Sequence, residues 1–123
     1  MRFLNYYVYG ELSKYINRSI IGLYFDTYKD INGHPCQDDD ICVTIKVSGS
    51  NMVSDVNQII SLLIGNPKVN LIVLIPGCEV DEFGNRKDRF IRYCRMHKGL
   101  KDYFTEVPIG DDKVEFVYIR KDI

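Results

Sequence analysis

Between Met52 and Ile64 the apolar side chains fall on one arc of a helical wheel. Met52, Val53, Val56, Ile59, Ile60, Leu63 and Ile64 face one way, and Ser54, Asn57, Gln58 and Ser61 face the other. This spacing predicts an amphipathic helix over about 51–64. Ser50 or Asn51 could cap its start, and Gly65-Asn66-Pro67 ends it. The flanking segments have a different rhythm. Ile41–Val47 is a β-branched run, and Val69–Ile75 is almost continuously apolar, as a strand buried on both faces would be. A helix between two strands predicts a parallel crossover.

Elsewhere the pattern is mostly β. Phe3–Tyr9 reads as an aromatic strand, and Glu11–Asn17 fits either a helical turn or a strand-edge connection. The β-formers of Ser19–Tyr28 predict a strand. Asp30–Asp40, with Asn32-Gly33, Pro35 and three consecutive aspartates, is a loop by composition. A second helix is expected over about 87–100. Its inner arc is Phe90, Tyr93, Cys94, His97 and Leu100, and its outer arc is Arg89, Arg92, Arg95 and Lys98. Phe104–Val107 and Val114–Ile119, separated by the turn signal Gly110-Asp111-Asp112, predict a closing hairpin. The expected architecture is α/β or α+β. It has a mixed sheet of five to six strands flanked by two helices, in the order β-β-β-α-β-α-β-β.

A length of 123 residues with no linker or internal repeat predicts a single domain spanning residues 1–123. The net charge of −1 supplies no general field for nucleic acid. No apolar run has the length of a membrane span, and the opening MRFLNYYVYG lacks a secretory pattern. A cytoplasmic protein is therefore expected, with its cysteines as free thiols. Alanine is absent while Ile, Asn, Lys and Tyr abound, the mark of an AT-rich genome such as a low-GC bacterium, its phages or a large DNA virus. A viral protein would act in the cytoplasm of its host. Nine tyrosines and no tryptophan point towards interfaces, and a homo-oligomer fits them.

The candidate chemistry converges on the turn after the Ile41–Val47 strand. With two parallel strands ending side by side, Ser48, Gly49, Ser50 and Asn51 would meet Gly77, while Arg86 and Arg89 reach in from the second helix. Backbone N–H groups at a helix start, together with guanidinium groups, make an anion cradle. The expected ligand is a phosphorylated small molecule or a nucleotide. The same four residues also serve as an ordinary turn and cap, and they lack the lysine and spacing of a P-loop. The outer arc Arg89, Arg92, Arg95 and Lys98 offers a surface for an acidic protein partner, or a plain solvated face.

Three weaker patterns remain. His34, Cys36, Cys94 and His97 have zinc-ligand chemistry but not zinc-site spacing, so no metal is assigned and no cofactor is called for. Asp26 with Asp38, Asp39 and Asp40 could hold Mg²⁺ for a nuclease, although acidic loops are ordinary. Phe3, Tyr7 and Tyr9 could stack bases on an RNA-binding sheet, but the strand ICVTIKVSG has no matching aromatic. No convincing acid–base pair is present, which favours binding over catalysis. The expected function is a non-enzymatic binding protein, for example a phage or mobile-element protein that sequesters a signal nucleotide. The rivals are a small inhibitor that uses its basic helix face and a metal-dependent nuclease.

Overall fold

The computed structural model of the chain describes residues 2–27, 41–48, 52–76, 89–107 and 115–121. Among the described residues five strands form one mixed sheet: β1 (Ile20–Thr27), β2 (Ile41–Val47), β3 (Val69–Ile75), β4 (Phe104–Val107) and β5 (Phe116–Arg120), in the spatial order β1-β2-β3-β5-β4. β2 and β3 run parallel, while β1–β2, β3–β5 and β4–β5 are antiparallel. Both the expected parallel crossover and the closing hairpin are present. β3 lies at the centre of the sheet, where its near-continuous apolar sequence belongs.

The helices are α1 (Arg2–Ser13), α2 (Val53–Ile64), α3 (Arg89–Met96) and α4 (Lys98–Tyr103). They pack in series, α1 on β1 and α2, α2 on α3 and α4, and α4 on β4. All cover one face of the sheet. There Val8, Leu12, Val56, Ile59, Ile60, Leu63, Cys94 and Leu100 meet alternate strand residues such as Ile41, Val43, Ile45, Ile72 and Leu74. A smaller cluster of Cys42, Leu71, Val117 and Ile119 occupies the other face. Among the described residues no helix is long and apolar enough to cross a membrane.

Two elements differ from the sequence pattern. Phe3–Tyr9 is not a strand but part of α1. Its β-formers are half of the picture, since α1 buries Val8 and Leu12 among its described side chains, four apart, and that is a helical repeat. The stacking platform of Phe3, Tyr7 and Tyr9 on a sheet is therefore absent. The expected single helix over 87–100 is broken at His97. Its extended backbone (ψ 117°) ends α3, and its imidazole Nδ1 accepts the Leu100 N–H at 3.1 Å to start α4. Gly99 permits the new direction. A Cβ there would stand 3.0 Å from the His97 ring and 3.2 Å from Ile64 Cδ1 of α2.

α2 itself opens at Val53, slightly later than the pattern predicts, with Met52 at the N-cap position. Met52 and Val53, expected on the inner arc, are exposed. The burying arc begins at Asp55 and Val56, one turn further in.

Candidate anion-binding corner

The parallel pairing of Lys46 with Ile75 brings the C-terminal ends of β2 and β3 to the same edge of the sheet. Ser48 leaves β2 there, and α2 starts five residues after it, at Val53. The corner is closed from a third side by the turn that joins α1 to β1. Asn17 adopts a left-handed backbone (φ 70°), which asparagine tolerates better than most residues. The Tyr15 carbonyl accepts from both Arg18 N–H (3.1 Å) and Ile20 N–H (3.0 Å). This tight turn delivers Arg18 and Ser19 to the start of α2.

Ser19 is completely buried and bonded on several sides. Its carbonyl accepts the Ser48 N–H at 2.9 Å. Its hydroxyl donates to Asp55 Oδ2 at 2.9 Å and accepts from the Met52 N–H at 3.3 Å. Arg18 Nη2 donates to the other oxygen, Asp55 Oδ1, at 2.8 Å. Asp55 sits in the first turn of α2 and is buried, while Arg18 remains half-exposed, its guanidinium 5.7 Å above the Tyr15 ring. A capping arrangement usually made within one helix is here assembled from two distant segments. The carboxylate also meets the positive end of the helix dipole.

Of the expected ligand-binding residues, Ser48 is placed at the corner with its amide engaged by Ser19. Gly49, Ser50, Asn51, Gly77 and Arg86 lie outside the described residues. Arg89 is the first residue of α3, which packs against α2. Arg18, Ser19, Asp55 and the exposed Lys46 were not singled out by sequence reasoning. Ser19 and Asp55 are 36 positions apart, so the sole local signal was an acidic residue within the first helical turn.

The basic face is less continuous than the sequence predicts, because the break at His97 puts Lys98 on a different helix from Arg92 and Arg95. Arg92 and Lys98 are exposed. Arg95 Nε pairs with Glu106 Oε1 at 3.2 Å, and its guanidinium lies 5.7 Å over the Phe116 ring, which ties it to the β4–β5 hairpin.

Asp26 lies on β1 opposite Cys42, whereas Asp38–Asp40, His34 and Cys36 lie outside the described residues. Cys94 is buried against the core, and His97 uses Nδ1 as a helix cap. Among the described residues there is no cluster of His, Cys, Asp or Glu able to hold a metal ion. One open groove of about 470 Å³ lies between the end of α1 and α2, lined by Glu11, Tyr15, Asn57, Gln58, Ser61 and Leu62. The Tyr15 hydroxyl donates to Gln58 Oε1 across it. No protein-family model matches the chain, and neither a curated protein nor a solved structure matches it.

Proposed function

We propose that the protein is a non-enzymatic binding protein for a phosphorylated or nucleotide-like ligand, held at the sheet edge where β2 and β3 end together. The observation that supports this reading is the parallel β2–α2–β3 unit, which leaves the end of β2 at Ser48 and the C-terminal end of β3 at one edge of the sheet, with the start of α2 bonded beside them through Ser19. Asp55 already neutralises the inner side of that helix start, so the ligand would sit outside it. It would meet residues 49–51, with Arg18 as a nearby cation. Arg18 suits the role because more than half of its side chain is exposed beyond the Asp55 bond (54%). Sequestration of a signal nucleotide is the form of activity that fits a small chain of this kind.

A thermal-shift titration with inorganic phosphate and a nucleotide panel tests the reading. A ligand that binds only the folded form stabilises it by about 2.7 kcal/mol at a hundredfold excess over Kd, a clear rise in Tm. Ser50→Glu places a carboxylate where the phosphate would sit and should abolish the rise. A response that survives this substitution removes the corner from consideration.

The exposure of Arg92 and Lys98 favours a second reading, an inhibitor that grips an acidic partner. Charge reversal at Arg92 and Arg95 would then weaken partner capture and leave the phosphate response intact. Capture unaffected by both reversals counts against that face.

A further inference from the structure

We propose that β1 is the seam of a two-fold dimer, in which a second copy of this chain lays its own β1 antiparallel against the first and extends the sheet across both subunits. The sheet has two edges of different character. β4 is four residues long and carries Glu106 in an ion pair, whereas β1 is eight residues long and reads IIGLYFDT. It has no proline and no lysine, the residues that usually block pairing at an edge. Among the described residues, pairing along its outer side is confined to its first residue, where Ile20 meets Tyr15, Ile16 and Asn17. The register shift beside Ile21 lies at that same end and leaves Leu23–Thr27 in regular pairing with β2. An antiparallel strand joined to its own copy is isologous, so each subunit supplies what the other needs.

The flanks of the seam carry exposed apolar side chains. Ile21 and Tyr24 of β1 are 51% and 58% exposed, and Tyr6, Tyr7 and Tyr9 of the adjoining α1 are 72%, 55% and 45% exposed. The Tyr9 ring meets Phe25 edge-on at 5.6 Å, which fixes α1 beside the strand, and the Tyr24 ring lies over Gly22 on the face away from the helices. Tyr7 projects from the far side of α1 from Tyr9; taking about 200 Å² for a whole tyrosine, Tyr24, Tyr9 and Tyr6 offer about 350 Å² per subunit. A symmetric pair would bury about 700 Å² from these rings, and Ile21 with the paired strand backbones brings the total to about 1,000 Å², the size a specific interface has to reach. Glu11 and Lys14 pair with each other at 3.0 Å, so the α1 side of the seam carries no net charge from them. Long-edged and mainly aromatic, with Asp26 the single charged residue of the strand, this surface suits a second copy better than a strongly charged partner.

Sedimentation equilibrium of the full chain tests the proposal. The expected result is a reversible monomer–dimer equilibrium, with amide exchange in residues 21–27 slowing as protein concentration rises. The double substitution Ile21→Lys and Tyr24→Lys alters exposed side chains, and circular dichroism checks that the fold is kept. It should weaken the dimer roughly thirtyfold, as loss of a central aromatic anchor does, while Tyr24→Phe keeps it. A chain that stays monomeric at every concentration overturns the proposal. So does a dimer that the double-lysine variant leaves unchanged.

Discussion

Three side chains at the start of α2 show how unequal bonds in one network can be. The Asp55 carboxylate is buried, and both of its oxygens are engaged, one by the Ser19 hydroxyl and one by Arg18. Arg18 stands mostly in water, so its ion pair is screened and contributes at most about 1 kcal/mol. Removing the carboxylate instead strands a buried hydroxyl and leaves the helix start uncompensated. Asp55→Ala should therefore lower stability by about 2–3 kcal/mol, and Arg18→Gln by less than about 1 kcal/mol, read from urea midpoints. Equal losses would show that the ion pair carries the weight.

Tyr118 makes a pH-dependent contribution. Burial raises its hydroxyl pKa far above the ordinary 10.0, and Cys94 and Glu106 act in the same direction, the latter also accepting its proton at 3.1 Å. The folded chain thus keeps this proton where the unfolded chain releases it. Its stabilisation is complete below pH 10.0 and declines as pH rises above that value. Alkaline denaturation should steepen from there in the native chain and flatten in Tyr118→Phe; parallel curves would contradict the assignment.

At the scale of elements, the connection between α2 and β3 is held by a residue from the far end of the chain. The Arg120 guanidinium donates to the carbonyls of Leu63 (2.9 Å), Ile64 (3.3 Å), Asn66 (3.1 Å) and Val69 (2.9 Å), and stacks 4.5 Å over the Phe104 ring. Two of these carbonyls, those of Leu63 and Ile64, belong to the last turn of α2, where a helix leaves its carbonyls without i+4 partners. One planar cation therefore joins β5, β4, the end of α2 and the start of β3. A lysine has no fork to reach several acceptors at once. Arg120→Lys should cost about 2 kcal/mol in denaturant midpoint, with amide exchange quickening over residues 65–69. A loss confined to β5 would deny the clamp. His97 works on a similar principle in the opposite sense, ending one helix and capping the next so that Leu100 and Phe104 reach the core.

Across the whole molecule, what could be read in advance followed the range of the forces involved. The periodicity of Val56, Ile59, Ile60 and Leu63 and the apolar run of β3 identify their elements, because burial acts through spacing of 3.6 or 2 residues. A helix between two strands then implied that β2 and β3 are parallel, and they are. Aromatic richness misread α1, since β-propensity is weak where one helical stripe, Val8 and Leu12, finds a sheet to cover. The break at His97 is made by its extended backbone and its Nδ1 cap on the Leu100 N–H, which the apolar arc running through both helices does not signal.

The same division holds for the candidate corner. Gly49, Ser50 and Asn51 carry a turn signal in the sequence and lie outside the described residues. The Arg18–Ser19–Asp55 cap was not legible, because its members meet only after β1 and α2 have packed. By itself the sequence determined which segments bury themselves and with what local period, since each depends on neighbours a few residues away. Tertiary structure decided which distant groups share a hydrogen bond, which charges are neutralised inside and which strand is left at an edge. Those outcomes depend on distances that exist only once the sheet has closed around its core.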